Sequence, residues 1–271
     1  VHDFEDSKIM VRSSFGCDID VLFEEFSETP LASGSVAQVY KAKLRPEYAL
    51  EGGEQNVAVK IRHPKILDES FIDIELIFLA MNLLPFLTIP FNKDAFLSTL
   101  QKQMDFEWEA FNMTTFATNF HEESANGIVG FPQISPDLIS ECILVMSFAK
   151  GKPLSELFTE IDETQQGWVV SGDKAKNDPM SSVKKDLAKD IFDINMKMFL
   201  RDNFVHGDMH GGNLLYNGQS VANGLTVLDA GLTVSLPDDV ARSFSIFLYS
   251  MIMGDVDGIM NKLIEFNDSK K

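Results

Sequence analysis

The segment HGDMHGGNLL at 206–215 constrains this chain more than any other, because of what enters and leaves it. Upstream, residues 184–204 carry Leu187, Ile191, Ile194, Met198 and Phe199 on one face of a 3.6-residue period, which predicts a long helix packed on a core. Downstream, two short apolar runs, NLLY and LTVLDAG, flank a turn-forming stretch at 217–224 that contains Asn-Gly twice. A helix that delivers the chain into a polar loop, then a hairpin, leaves functional groups at both ends of the hairpin. Asp208 and Asn213 precede it and Asp229 closes it.

Earlier in the chain, VAQVYKAKL and NVAVKIR alternate apolar and polar residues on either side of the glycine-containing stretch 45–56, and read as strand, loop and strand. Between Asp68 and Glu123 apolar residues recur every three to four positions, broken near 84–92 by two prolines, which predicts two or more helices. The run ECILVMSF at 141–148 reads as a buried strand. A polar insertion at 162–182 reads as an exposed loop, and the lobe boundary falls near Ala149, giving lobes 1–148 and 149–271. There is no internal repeat.

Phosphoryl transfer needs a cation on the phosphates, carboxylate and amide metal ligands, and a group that orients the acceptor; covalent chemistry is secondary. The chain supplies these in kinase order. Lys60, in VAVK on a strand, can reach the α and β phosphates, with Ala58 small enough to leave room beside an adenine. Glu109, on a helix in MDFEWEAFN, can hold that lysine. Asp208 and Asn213 have the catalytic-loop spacing in which the aspartate is the base and the asparagine binds magnesium. Asp229 in VLDAGL follows an apolar strand and precedes a glycine, which suits a magnesium-binding carboxylate. Each motif alone has a plainer explanation, a strand lysine, a solvated helix acid or a turn aspartate; their order is what carries the assignment. A histidine metal site built from His206, Asp208 and His210 is the rival. It leaves Asn213 and Asp229 without a role, and His206 then braces the loop.

Composition narrows the partners. Lys plus Arg number 23 against 41 Asp plus Glu, a net charge of -18, so nucleic acid is not an expected partner, whereas a nucleotide can be neutralised locally by a few fixed cations and magnesium. The two cysteines, Cys17 and Cys142, lack zinc-like spacing and read as buried or inert thiols. The most apolar stretch, 74–91, is broken by Glu75 and Pro85 and falls short of the roughly 20 apolar residues that span a bilayer, so a buried helix is expected there. The chain begins at Val1 without a targeting segment and reads as a fragment or processed form.

Taken together these motifs resemble the aarF, ABC1 or UbiB family of atypical kinases, over nearly the whole chain. The loop 31–40, LASGSVAQVY, is similar to that family's alanine-rich nucleotide element; HPKI follows the lysine; DFxxEAxN spans Asp105 to Asn112; and HGDMHGGN stands for HxDxHPGN. The 49 residues between Lys60 and Glu109 leave room for the family's inserted helices. GSVAQVYKA and LDAG, in place of DFG, look closest to the mitochondrial aarF domain-containing kinase two branch. The resemblance implies an α+β, bilobal protein-kinase-like fold with extra helices in the first lobe and a truncated helical second lobe. It implies an ATP- and magnesium-dependent enzyme, mitochondrial and linked to coenzyme Q synthesis, with an isoprenoid lipid or a biosynthetic complex as possible partner and peripheral membrane contact. By analogy Ala32, Ser33, Gly34 and Ser35 cover the nucleotide. Val39 and Ala58 lie over the adenine, Met146 guards the inner pocket, and the backbone from Ser147 to Ala149 meets the base.

Departures from the family pattern are visible. The KxGQ element is absent, Gln103 replaces the glutamate of ExD and leaves Asp105, Gly34 replaces an alanine, and Gly211 stands where the family has proline. Only 42 residues follow Asp229. Alternatives are a pseudokinase scaffold holding a nucleotide or lipid, and a small-molecule phosphotransferase similar to aminoglycoside and choline kinases.

Overall fold

The computed structural model describes residues 2–83, 93–159, 179–218 and 224–268. By its internal contacts the chain forms two units, Val1–Phe158 with His210–Leu232, and Thr159–Met209 with Thr233–Lys271. The fold is α+β, and the main sheet of the first unit is antiparallel.

The first unit is built on a sheet of β1 (Phe23–Phe26), β3 (Ala37–Leu44), β4 (Asn56–Arg62), β7 (Ile143–Ser147) and β6 (Ile134–Ser140), in that order, with the short β2 (Ala32–Ser33) on β3. Alternation along the strands divides the sheet. Tyr40, Ala42, Val57, Val59, Ile61 and Val145 enter one core with Val11, Ile19 and Leu22 from α1 (Phe4–Phe15) and α2 (Ile19–Leu22). The opposite face presents Val39, Ala58 and Lys60, and further along Ala37 and Leu144 pack with Phe106 and Ala110 of α5 (Phe106–Asn119). The β3–β4 connection is two exposed 3-10 turns, Pro46–Tyr48 and Glu51–Gly53, with Gly52 and Gly53 at positive φ. A second sheet, β5 (Val129–Gly130), β11 (Leu225–Val227), β10 (Leu214–Tyr216) and β8 (Lys152–Pro153), holds the predicted hairpin: Leu214 faces Val227 and Tyr216 faces Leu225. The hairpin tip falls outside the described residues.

Helices α3 (Ile66–Leu83) and α4 (Lys93–Gln103) are inserted between β4 and α5, and α6 (His121–Ala125) follows, so the helical expectation for this stretch is met. The buried helix expected at 74–91 is corrected: Ile74 is buried, but Ile72, Leu76, Ile77 and Leu79 are exposed. Its apolar residues lie around the helix rather than on one stripe, so one packed face cannot cover them all. Residues 84–92 lie outside the described residues, and among those described no helix is long and apolar enough to cross a membrane.

In the second unit the helix Pro179–Lys197 buries Leu187 and Ile194. The expected helix to Phe204 changes pitch at Met198–Asp202, a π segment closed by Asn203 in the left-handed region at φ 46°. Asn203 then ties the chain to Leu236: its Oδ1 accepts from the Leu236 N–H at 3.0 Å and its Nδ2 donates to the Leu236 carbonyl at 2.8 Å. Strand β9 (Val205–His206) pairs with β12 (Thr233–Val234), and two amphipathic helices, Asp238–Met253 and Val256–Asp268, pack on each other. The loop expected at 162–182 lies outside the described residues up to 178, and its last residues start the helix at Pro179. Cys17 and Cys142 are free and half-buried.

Candidate functional site

Lys60 owes its position to strand phase. Val57, Val59 and Ile61 are consumed by the core, so Ala58, Lys60 and Arg62 must emerge on the other face, with Lys60 between Val39 of β3 and Leu144 of β7. Helix α5 meets that face. Asp105 caps it by accepting from the Glu107 N–H at 2.9 Å, and Phe106 donates its N–H to the Glu141 carbonyl at 3.2 Å. Arg62 reinforces the junction by donating to the carbonyls of Met104 (2.7 Å) and Glu141 (3.0 Å). The buried face of α5 then carries Phe106, Glu109, Ala110, Asn112, Met113 and Phe116, two polar residues among four apolar ones.

Glu109 meets Lys60 through both oxygens, at 2.7 and 2.8 Å, and the same ammonium contacts Asp229 Oδ2 at 2.7 Å. Lys60 also lies 5.0 Å above the centroid of the Phe106 ring. Glu109 is 1% exposed and Asp229 34%, so the pair is a buried one with an open side at the aspartate. Burial alone would depress the Lys60 ammonium, but the carboxylates of Glu109 and Asp229 outweigh it and hold the ammonium well above its ordinary value. The lysine is a fixed cation throughout the physiological range.

Asp229 sits just past β11, and its Oδ1 accepts from the Gly231 N–H at 3.0 Å, which turns the chain. Asn213 sits just before β10, and its carbonyl accepts from the Leu228 N–H at 2.9 Å. The hairpin therefore brings the backbones of 213 and 228–229 side by side. Asp208 belongs to the second unit, where its N–H donates to His206 Nδ1 at 3.1 Å and His206 is buried on β9, opposite Thr233. His210 Nδ1 accepts from the Gly212 N–H at 3.0 Å. Among the described residues no group of three His, Cys, Asp or Glu is set to hold a metal ion.

The remaining candidates fall on the same sheet and its edges. Ala32, Ser33, Gly34 and Ser35 are exposed, on β2 and the turn after it, which is closed by the Gly34 N–H to the Ala37 carbonyl at 2.8 Å. Ala58 pairs with buried Met146. Ser147 is engaged with Gln133, whose carbonyl accepts from its N–H (2.8 Å) and whose N–H donates to its Oγ (2.9 Å), and the Phe148 N–H donates to the Asn56 carbonyl. Ala149 follows, half-buried. Cavities of about 570 Å³, lined by Leu31, Lys41 and Asn56 among others, and about 320 Å³, lined by Ser147 and Ala149 among others, touch this surface. Neither is lined by Lys60, Glu109 or Asp229, whose charges close on one another.

Sequence reasoning did not find Arg62 or the structural work of Asn112. Asn112 Nδ2 donates to the Ala230 carbonyl at 2.9 Å from 118 residues away. Its signals were its place at the end of the DFxxEAxN pattern and its spacing, three residues after Glu109 on the same helix.

A family model for the ABC1 atypical kinase-like domain matches residues 1–263. The chain is 33% identical over 221 residues to a Dictyostelium discoideum protein named probable serine/threonine-protein kinase abkC, a match covering 79% of this chain and 28% of that protein. It is 26% identical over 240 residues to a probable protein kinase UbiB of Shewanella piezotolerans, covering 86% and 39% respectively. The chain thus spans less than half the length of these two relatives. Its fold is similar, with a TM-score of 0.63 at 18% identity, to Mycobacterium tuberculosis Rv3197, solved in complex with erythromycin; the match covers 95% of this chain and 59% of that one. With the matched model running through strand lysine, helix glutamate and hairpin aspartate alike, the chain belongs to the ABC1 atypical kinase-like family.

Proposed function

We propose that this chain binds ATP with magnesium and moves or hydrolyses its terminal phosphoryl group. The observation that carries the reading is the Lys60 ammonium, fixed in a nearly buried position by Glu109 and set against Asp229. Glu109 orients Lys60 and keeps it charged, so that it can receive the α and β phosphates; Ala58, Val39 and Met146 offer an apolar wall to the base, and the backbone at 147–149 its polar edge. Asn213 and Asp229 supply an amide and a carboxylate oxygen, hard donors suited to magnesium, at the ends of strands whose backbones are bonded together. Magnesium, when bound, would neutralise phosphate charge and orient the transferring group. Asp208, five residues before Asn213 along the chain, takes the acceptor-orienting role.

The likeness to UbiB proteins supports placing the activity in coenzyme Q and isoprenoid lipid metabolism; the mitochondrial setting rests on the resemblance of GSVAQVYKA and LDAG alone. The exposed apolar residues of α3 support peripheral contact with a membrane. The test is a thermal-shift titration with ATP and magnesium, because ligand bound only to the native state raises the midpoint by mass action. A magnesium-dependent rise in the wild type, lost in Asp229→Asn, supports the reading. No rise in a folded wild-type protein overturns it in favour of a scaffold that binds no nucleotide.

A further inference from the structure

In a D-F-G turn the phenylalanine's packing sets where the metal-binding aspartate points. This chain has Ala230 at that position, fully buried, whose methyl group offers little to anchor. What holds Ala230 is its peptide backbone. Its carbonyl accepts from Asn112 Nδ2 at 2.9 Å. Glu109 and Asn112 are three residues apart and so share one face of α5. A single helix face thus holds Lys60 through Glu109 and the Ala230 carbonyl through Asn112. The neighbours on either side are fixed in turn: Asp229 is tied to Lys60, and the Gly231 N–H is tied back to Asp229 Oδ1.

We propose that Asn112 is a positioning residue which clamps Ala230 onto α5, beside the Glu109–Lys60 pair, and so aims the Asp229 carboxylate. The helix that holds Lys60 and the turn that holds the metal ligand then move as one body, and the turn has no independent flip. Asn112 carries the part of this clamp that Lys60 does not need, since Glu109 meets the lysine without it. Among the described residues its Oδ1 finds no donor, so the buried amide leaves an acceptor unsatisfied and its single bond goes to the clamp. Its link to magnesium rests on the reading of Asp229 given above.

The test compares wild type with Asn112→Leu and Asn112→Asp by amide hydrogen exchange and by titration of ATP binding with magnesium. Leucine removes the donor together with the unsatisfied oxygen and leaves the buried Ala230 carbonyl unmet; aspartate keeps the shape and has no donor whenever it is ionised. In both variants exchange at 229–231 should rise about tenfold, the worth of one lost hydrogen bond, while α5 amides stay protected. The magnesium concentration at half-saturation should rise by a similar factor, with metal-free ATP binding unchanged. Unchanged exchange at 229–231, or a rise shared by the whole first unit, overturns the clamp. A wild type that shows no magnesium-dependent ATP binding overturns the proposed function instead, and the exchange result still decides the clamp.

Discussion

Removing the Lys60 ammonium should unmask how much the first unit depends on it. At 2.7 Å and an effective dielectric constant near 20, each Lys60–carboxylate contact is worth about 6 kcal/mol of attraction, set against several kcal/mol for desolvating each ion. The net value of the intact pair is therefore small. Lys60→Met is a different matter, because it leaves Glu109, 1% exposed, as an unpaired buried charge. The expected loss is about 3–5 kcal/mol. Adding Glu109→Gln to Lys60→Met removes that charge and keeps the side chain's shape, so the double variant should recover to within about 1 kcal/mol of wild type. Trp108, on α5 beside Glu109, reports the transition by fluorescence during urea unfolding in a Trp168→Phe background. The reasoning is refuted if Lys60→Met costs less than about 1 kcal/mol, or if the double variant is as unstable as Lys60→Met alone.

Two further outcomes follow from local geometry. Gly151 has φ +139°, and a Cβ there would lie 2.2 Å from Asn217 Oδ1 and 2.9 Å from the Tyr216 carbonyl, so Gly151→Ala should lose about 3 kcal/mol in urea unfolding. His2 Nδ1 lies 2.7 Å from His63 Nδ1, and burial, then His63, hold the His2 imidazole below its ordinary value of 6.5, against Asp6 and Asp3. A depressed value means the stability it carries is present above pH 6.5 and is lost as pH falls through the lower, folded value. The protection factors of the α1 amides, corrected for the intrinsic pH dependence of exchange, should therefore fall on acidification below pH 6.5 in wild type and lose that dependence in His2→Phe.

What the sequence made legible was whatever lies in period and order. The alternation of VAQVYKAKL and NVAVKIR gives β3 and β4, and the phase of that alternation is what puts Lys60 on the face opposite the core. The hairpin is legible because NLLY and LTVL are apolar and a turn lies between them. Partnerships across long separations were not: Asn112 with Ala230, or Arg62 with the carbonyls of Met104 and Glu141, depend on which surfaces the fold stacks. Ser7, Tyr40 and Gln38, hydrogen-bonded to each other in the interior, are polar residues that no apolar pattern flags. The α3 helix was misjudged because apolar content says a surface wants cover, without saying what covers it. The change of pitch at Met198–Asp202 has no residue signature of its own.

The exposed link between β3 and β4 has a practical use that follows from strand alternation alone. At Gly52 and Gly53 an added side chain would meet nothing within 4 Å, and both strands are already paired residue for residue from Lys43 and Asn56 onward. A peptide tag or fluorophore spliced in at this point should leave the pleat undisturbed at any length, odd or even. One extra residue placed within Asn56–Lys60 would exchange inside for outside along the rest of the strand, sending the lysine into the aliphatic interior and a valine to where the carboxylates wait.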